Sequence, residues 1–178
     1  VPSCGRGKFM PSCVTVFAKV AGQGRRSVVH YTPGAQAFEV EVDTQTGKLR
    51  VLRAATACEV GKAINPDLVK AQMEGGLVQG LSSALFEQML FKDGEMQNPN
   101  FVDYRISTTV DLPDEIQTFI VEVPQDDGPY GARGVGEHPM VPTIAGIANA
   151  IHDAVGIRMQ GPPFTAEKIF LALQEKSQ

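Results

Sequence analysis

The chain has 178 residues, of which 43% are hydrophobic, enough for one domain with a hydrophobic core. Its net charge is −4 and its arginines are scattered, so the composition argues against a nucleic-acid partner. No apolar run reaches the ~18–20 residues needed to span a bilayer, and the amino-terminal segment lacks the apolar stretch of a signal peptide. We expect a soluble, cytoplasmic protein without a membrane partner.

The three cysteines, Cys4, Cys13 and Cys58, are odd in number and widely spaced. This pattern fits neither a disulfide framework nor the paired cysteines of zinc and iron–sulfur sites. Cys58 lies in the apolar run VLRAATACEV and is predicted to be a small buried side chain. Residues 1–30 are predicted to be a poorly ordered leader, which leaves residues 31–178 as the folded domain.

The first strong pattern after the leader is a β-hairpin in AQAFEVEVDTQTGKLRVLRAATA, with DTQTGK as the turn. The apolar residues that mark its two strands are Phe38, Val40, Val42, Leu49, Val51 and Leu52. A second turn is predicted in FKDGEM and a third strand in QTFIVEVP, ended by Pro124. Strand and helix signals follow no regular period, which favours an α+β fold: a mixed sheet of hairpins packed against a few helices.

A long helix is predicted between the hairpin and the third strand. Asn65 is placed to cap it, and Pro66 occupies the first helical position. One face carries an apolar stripe at helical spacing, which we expect to pack on the sheet. The stripe consists of Met73, Leu77, Leu81, Ala84 and Leu85.

The other face of this helix is small and polar. It contains Gln72, Gly76, Gln79 and Ser83, with Gly75, Gly80 and Ser82 beside them. A glycine inside a helix costs about 0.5–1 kcal/mol relative to alanine, so the pattern indicates that something approaches the backbone closely. A tightly crossing helix and a ligand both meet this condition, and the pattern leaves both open. Gln79 favours a ligand, because an amide in a dry helix crossing would need hydrogen-bond partners.

Two further helices are predicted nearer the carboxy terminus. The first runs over about residues 142–154 and is ended by Gly156, with His152 on its less apolar side as an ordinary histidine. The second follows Thr165, a good N-cap.

The loop GPYGARGVGE, residues 128–137, presents one carboxylate, Glu137. Its glycines can bring backbone N–H groups within reach of a ligand, but their spacing does not match a nucleotide-binding loop. His138 and His152 are too far apart for a helical zinc site. The neighbouring sequence offers Glu137 no partner except His138, and Arg133 is expected to be solvated or paired elsewhere. A solvated carboxylate and a catalytic base both remain open, the first being commoner for a loop residue.

Three segments in this order resemble the carboxy-terminal part of the molybdenum-binding subunit of the xanthine dehydrogenase and aldehyde oxidase family. They are GAQAFEVEVDTQTGKLRVLRAATACEVGKAINP, QMEGGLVQGLSSALFEQ and GARGVGEHPMVPTIAGIANAIHDAVGIR. The resemblance covers about residues 32–158. Family subunits carry several hundred further residues before this region, which implies that the chain is one part of a larger molybdenum-binding subunit.

The resemblance implies a molybdenum–pterin cofactor, either molybdopterin or its cytosine dinucleotide form, with iron–sulfur and FAD groups only on partner chains or domains. It implies hydroxylation of an electron-poor carbon, in a purine, an N-heterocycle or an aldehyde, with water as the oxygen source. The implied partners are the remaining part of the molybdenum subunit, iron–sulfur and flavin subunits, and a small-molecule substrate.

The resemblance also implies residue roles. Glu137 stands at the position of the family's catalytic glutamate, the base for a Mo–OH group, and Gln79 belongs to the cofactor pocket. The residues expected to contact the cofactor are Gln79, Gly76, Gly80, Gly134, Val135 and Gly136, and no protein residue is expected to bind the metal. The chain departs from the family at His138, where relatives often have proline, and at Glu59, where they often have aspartate.

The alternative to an enzyme component is a non-catalytic assembly or scaffold fragment that kept the fold. The presence of both Gln79 and Glu137 argues against this alternative, since a scaffold needs neither residue. In either case we expect the chain by itself to bind no stable cofactor, because most of the family's subunit lies outside it.

Overall fold

The computed structural model of the chain describes residues 31–126 and 128–176. The predicted leader, with Cys4 and Cys13, lies outside the described residues. The strands are β1 (Gly34–Val42), β2 (Leu49–Glu59), β3 (Phe91–Lys92), β4 (Glu95–Met96) and β5 (Glu115–Val121), and the helices are α1 (Pro66–Leu85), α2 (Thr143–Val155) and α3 (Ala166–Lys176). Among these residues no helix is long and apolar enough to cross a bilayer.

The predicted hairpin is confirmed as the antiparallel pair β1–β2. Its register shifts once, because Glu39 lies opposite Arg53 whereas Val40 lies opposite Val51, so Leu52 is an extra residue in β2. The bulge changes which residues of β2 face inward. Val51 is buried before it and Ala54 after it, which keeps both halves of the strand in contact with the core.

The third strand completes a mixed sheet with the order β1–β2–β5. β5 pairs parallel to β2, from Arg53 opposite Glu115 to Glu59 opposite Val121, and ends three residues before Pro124. A parallel pair requires a long crossover connection. Here α1 and residues 86–114 provide it, with the predicted FKDGEM turn forming the separate β3–β4 hairpin. The α+β fold class is confirmed.

α1 packs its apolar stripe on the sheet, as predicted. Asn65 caps the helix through its side-chain oxygen, which accepts a hydrogen bond from the Leu68 N–H at 3.1 Å. The larger of two hydrophobic clusters in the described chain lies between the sheet and the helices. Its buried residues are Val51, Ala54, Leu77, Leu81, Ala84, Ile147, Ile151, Ile157, Phe164 and Ile169.

The boundaries of the last two helices follow their sequence signals. α2 ends at Gly156, whose φ of 68° is left-handed and whose N–H donates to the His152 carbonyl at 2.7 Å. The Thr165 hydroxyl accepts from the Lys168 N–H at 3.3 Å, as expected of an N-cap. Cys58 is 2% exposed, as predicted, and this burial raises the pKa of its thiol.

The close approach indicated by the glycines of α1 comes from the chain itself. A Cβ added to Gly76 would lie 3.1 Å from the Pro139 Cβ, and one added to Gly80 would lie 2.4 Å from the Thr143 Oγ1. Both glycines are buried. In the described chain the segment entering α2 covers Gly76 and Gly80, and their expected contact with the cofactor stays a prediction.

Gly80→Ala should destabilise the chain by roughly 1–3 kcal/mol, because the new methyl group forces α1 away from Thr143. Gly75→Ala is the matched control: a Cβ there meets nothing within 4 Å, so we expect a gain of about 0.5–1 kcal/mol from helix propensity. Urea unfolding of the two variants measures both changes. Equal effects at the two positions would contradict the close contact.

Candidate functional site

The glycine-rich loop is held along the end of β2 by backbone hydrogen bonds. The Arg133 N–H donates to the Val60 carbonyl at 2.9 Å, and the Lys62 N–H donates to the Gly131 carbonyl at 2.7 Å. Gly61 and Ala132 face each other across this short antiparallel bridge. The loop is therefore attached to the end of the central strand of the sheet.

A buried ion pair reinforces the same junction. The guanidinium of Arg133 pairs with the carboxylate of Glu59, and the two side chains are 14% and 10% exposed. The second oxygen of Glu59 accepts a hydrogen bond from the Gly61 N–H at 2.6 Å. Of the two alternatives for Arg133, solvation or pairing elsewhere, the structure shows pairing, and Glu59 links the end of β2 to the loop.

The exit of the loop is held by Gln36 from β1. Its side-chain nitrogen donates to the Pro139 carbonyl at 2.5 Å, and its oxygen accepts from the Thr143 hydroxyl at 2.7 Å. Gln36 is not among the site residues predicted from the sequence. A signal existed, since Gln36 is in phase with the inward-facing Phe38 and Val40, and an amide on an inner face must find hydrogen-bond partners.

Between these two attachments the loop brings Glu137 to Gln79 of α1. The Gln79 Nε2 donates to the Glu137 Oε1 at 3.0 Å. The expectation that Glu137 has no protein partner apart from its neighbour is therefore wrong. Both side chains are exposed, and the second carboxylate oxygen, Oε2, accepts no hydrogen bond from the described residues.

The loop continues along the same face of α1 above Gln79. Gln72 lies two helical turns before Gln79. Its side-chain nitrogen donates to the Val135 carbonyl oxygen at 3.4 Å. Gly75 lies between the two glutamines and is open to solvent. We call Gln72, Gly75 and Gln79 the amide face of α1. Of the predicted residues, the structure therefore brings Gln79 and Glu137 together, and Val135 lies about two helical turns away beside Gln72.

Two of the loop glycines have no structural explanation within the described chain. A Cβ added to Gly134 or Gly136 would meet nothing within 4 Å, and neither residue has a positive φ. The backbone N–H groups of Gly134, Val135 and Gly136 have no hydrogen-bond partner among residues 31–126 and 128–176. Consecutive free N–H groups beside exposed amides suit the oxygen atoms of an organic, anionic cofactor.

His138 differs from Glu137 in its surroundings. It is partly buried, and this desolvation lowers the pKa of the imidazole below its usual value. Its Nε2 is buried without a hydrogen-bond partner in the part of the chain that the structure describes. Within that part, no group of three or more His, Cys, Asp or Glu side chains is arranged to hold a metal ion.

Residues 4–113 match the family described as the molybdopterin cofactor-binding domain. The match begins within the predicted leader and includes Gln79, whereas Glu137 lies beyond it. Among the described residues, the match covers the hairpin, α1 and nearly all of the segment between α1 and β5.

Individual relatives extend the similarity through the loop. The chain is 35% identical over 152 residues to the gamma subunit of the 6-hydroxypseudooxynicotine dehydrogenase complex of Paenarthrobacter nicotinovorans, covering 83% of this chain and 19% of the relative. It is 34% identical over 168 residues to an aldehyde oxidoreductase of Megalodesulfovibrio gigas, covering 94% of this chain and 18% of the relative. The chain thus spans about a fifth of the length of these relatives.

The fold agrees with a solved enzyme of the same kind. Quinoline 2-oxidoreductase from Pseudomonas putida 86 superimposes with a TM-score of 0.72 at 34% identity, over 76% of this chain and 18% of that one. The same fold therefore occurs in a solved oxidoreductase, which agrees with the family match. The chain therefore belongs to the molybdopterin cofactor-binding domains found in the molybdenum-binding subunits of the xanthine dehydrogenase and aldehyde oxidoreductase family.

Proposed function

We propose that this chain supplies the catalytic base and one wall of the cofactor pocket of a molybdenum hydroxylase. The observation that carries the proposal is the hydrogen bond between Gln79 and Glu137, which fixes a carboxylate at an exposed edge next to unpaired backbone donors. The substrate class is an electron-poor carbon in a purine, an N-heterocycle or an aldehyde. The names of the relatives, which include a quinoline oxidoreductase and an aldehyde oxidoreductase, support this class.

The chain's own groups suit a molybdenum–pterin cofactor. Because an ionised carboxylate only accepts hydrogen bonds, the side-chain nitrogen of Gln79 faces Glu137, and its oxygen remains as an acceptor for the cofactor. The N–H groups of Gly134, Val135 and Gly136 provide donors to oxygen atoms on the other side. When bound, the cofactor supplies the two-electron oxidation of the substrate carbon.

The role of Glu137 is proton transfer. Gln79 holds Oε1, so Oε2 is the oxygen that accepts the proton released when the oxygen derived from water bonds to the substrate carbon. Attachments at both ends limit the movement of the loop, through Glu59 and Arg133 before it and Gln36 after it. Electrons then leave to iron–sulfur and flavin groups on partner chains or domains, in keeping with relatives that are named as subunits of complexes.

Glu137→Gln should lower the rate of substrate hydroxylation by a factor of about 10² to 10⁴, because the near-isosteric amide cannot accept the proton. Molybdenum content and assembly should stay unchanged. Single-turnover reduction of the assembled enzyme by substrate measures the step directly, before electrons reach other centres. Glu175→Gln, at an exposed position of α3, is the control and should react like the parent.

The same experiment decides between an enzyme component and a scaffold fragment. A Glu137→Gln enzyme that is reduced at the parental rate would remove this residue from the mechanism. The scaffold alternative would then be the better explanation of the fold.

Arg133→Met should destabilise the chain by roughly 3–5 kcal/mol, because Glu59 would remain buried without its cation. Adding Glu59→Gln to this variant should recover part of the loss, since the double variant buries no unpaired charge. Arg50→Met breaks the exposed pair with Asp114 and is the matched control, with a much smaller expected effect. Urea unfolding measures all three, and equal losses for Arg133→Met and Arg50→Met would contradict the anchoring role.

The chain expressed alone should carry no stable molybdenum, because its cofactor groups lie on one exposed face and the opposite wall of the pocket belongs to the rest of the subunit. Metal analysis of the purified chain, with and without the remaining polypeptide, tests this expectation. Stoichiometric molybdenum in the isolated chain would contradict it.

A further inference from the structure

Residues 86–114, between α1 and β5, form a locally ordered segment outside the core, which we call the apolar lobe. Asn98, which is 4% exposed, accepts a hydrogen bond from the Leu90 N–H at 2.9 Å and donates to the Gln88 carbonyl at 2.6 Å. The Tyr104 hydroxyl donates to Glu87 at 2.6 Å. The lobe therefore owes its conformation to hydrogen bonds rather than to burial of its apolar side chains.

Those apolar side chains point outward instead. None of the residues in the two hydrophobic clusters of the described chain comes from the lobe. Seven large apolar residues of the lobe are between 47% and 89% exposed. They are Met89, Leu90, Phe91, Phe101, Val102, Ile106 and Val110. Exposed apolar surface concentrated in one short segment is typical of a protein interface.

The lobe also contains a cleft of about 310 Å³. Its apolar wall is formed by Met89, Met96, Pro99 and Phe101, with Tyr104 at its side. A cleft lined in this way accepts an apolar side chain from a partner, and methionines and aromatic rings are enriched in such interface centres.

The lobe lies next to the candidate site. The Ser107 N–H donates to the Ser82 Oγ at 2.9 Å, which fastens the lobe to the last turns of α1. Ser82 is three residues from Gln79, or roughly 4.5 Å along the helix axis. The point at which the lobe is attached to α1 is therefore about one helical turn from Gln79 of the amide face.

We propose that the apolar lobe is the surface on which the remaining polypeptide of the molybdenum-binding subunit packs. The relatives are about five times as long as the region that this chain matches, so a large partner surface belongs to the same subunit. The family match, which ends at residue 113, includes nearly the whole lobe. Extensive apolar exposure fits a permanent interface of this kind better than a transient one. The inference rests on one part of the proposed function, namely that the chain works within a molybdenum-binding subunit.

Hydrogen–deuterium exchange of the lobe tests the proposal. The exchange of amides in residues 86–114 is compared between the chain alone and the chain bound to the remaining polypeptide of the same subunit. We expect the amide of Phe91 and the amides of residues 101–106 to exchange more slowly in the assembled subunit. Unchanged exchange across the whole lobe on assembly would overturn the proposal.

A double substitution, Phe101→Ser with Val102→Ser, tests the same surface by assembly. Because both side chains are about four-fifths exposed, at 78% and 81%, the chain should fold as before, which circular dichroism and urea unfolding verify. The affinity for the remaining polypeptide should fall at least about tenfold. Leu171→Ser, at an exposed position of α3, is the matched control and should assemble like the parent. Parental assembly of the double variant would refute the docking surface.

Two further readouts separate this proposal from its alternatives. Sedimentation of the chain alone detects self-association; a dimer that the double substitution abolishes, without any loss of assembly, would mean that a second copy occupies the lobe. Assembly is measured without activity, so a catalytically unaffected Glu137→Gln variant would end the catalytic proposal and leave the docking surface standing.

Discussion

The close contact between α1 and the segment that enters α2 is the constraint on which the rest of the structure depends. Gly76 and Gly80 have no side chains, so Pro139 and Thr143 can pack directly against the backbone of α1. Any larger residue at Gly80 would displace this segment. Since Glu137 directly precedes the contacting turn, its distance from Gln79 is set by packing rather than by the loop alone.

Attachments on either side turn this contact into a defined site. The Glu59–Arg133 pair and the backbone bridge at Gly61 hold the beginning of the loop, and Gln36 holds its end. Breaking a largely buried ion pair or leaving a partly buried amide unpaired is costly, so these attachments resist rearrangement. The carboxylate itself stays exposed. The protein thus combines a firmly held backbone with a side chain that is free to meet a cofactor and a substrate.

The exposed loop N–H groups, the amide face and the apolar lobe all lie along α1. The loop N–H groups and the amide face are polar and lie on one side of α1, and the apolar lobe is fastened one turn further along the same helix. Under the two proposals, the polar groups contact the cofactor, and the apolar lobe contacts the polypeptide that completes the pocket. The length of the relatives agrees with such a division.

The sequence by itself determined the local elements and pointed to the residues proposed to carry the chemistry. The hairpin, the capped helix with its buried stripe and the helix ended by Gly156 follow from periodicity and terminal residues, which act over a few positions. Only the tertiary structure decided which glycines of α1 face protein and which face solvent, because that depends on a segment about sixty residues away. The same holds for Arg133, which pairs with Glu59, for Gln36, and for the parallel pairing of β5, since each contact joins distant parts of the chain.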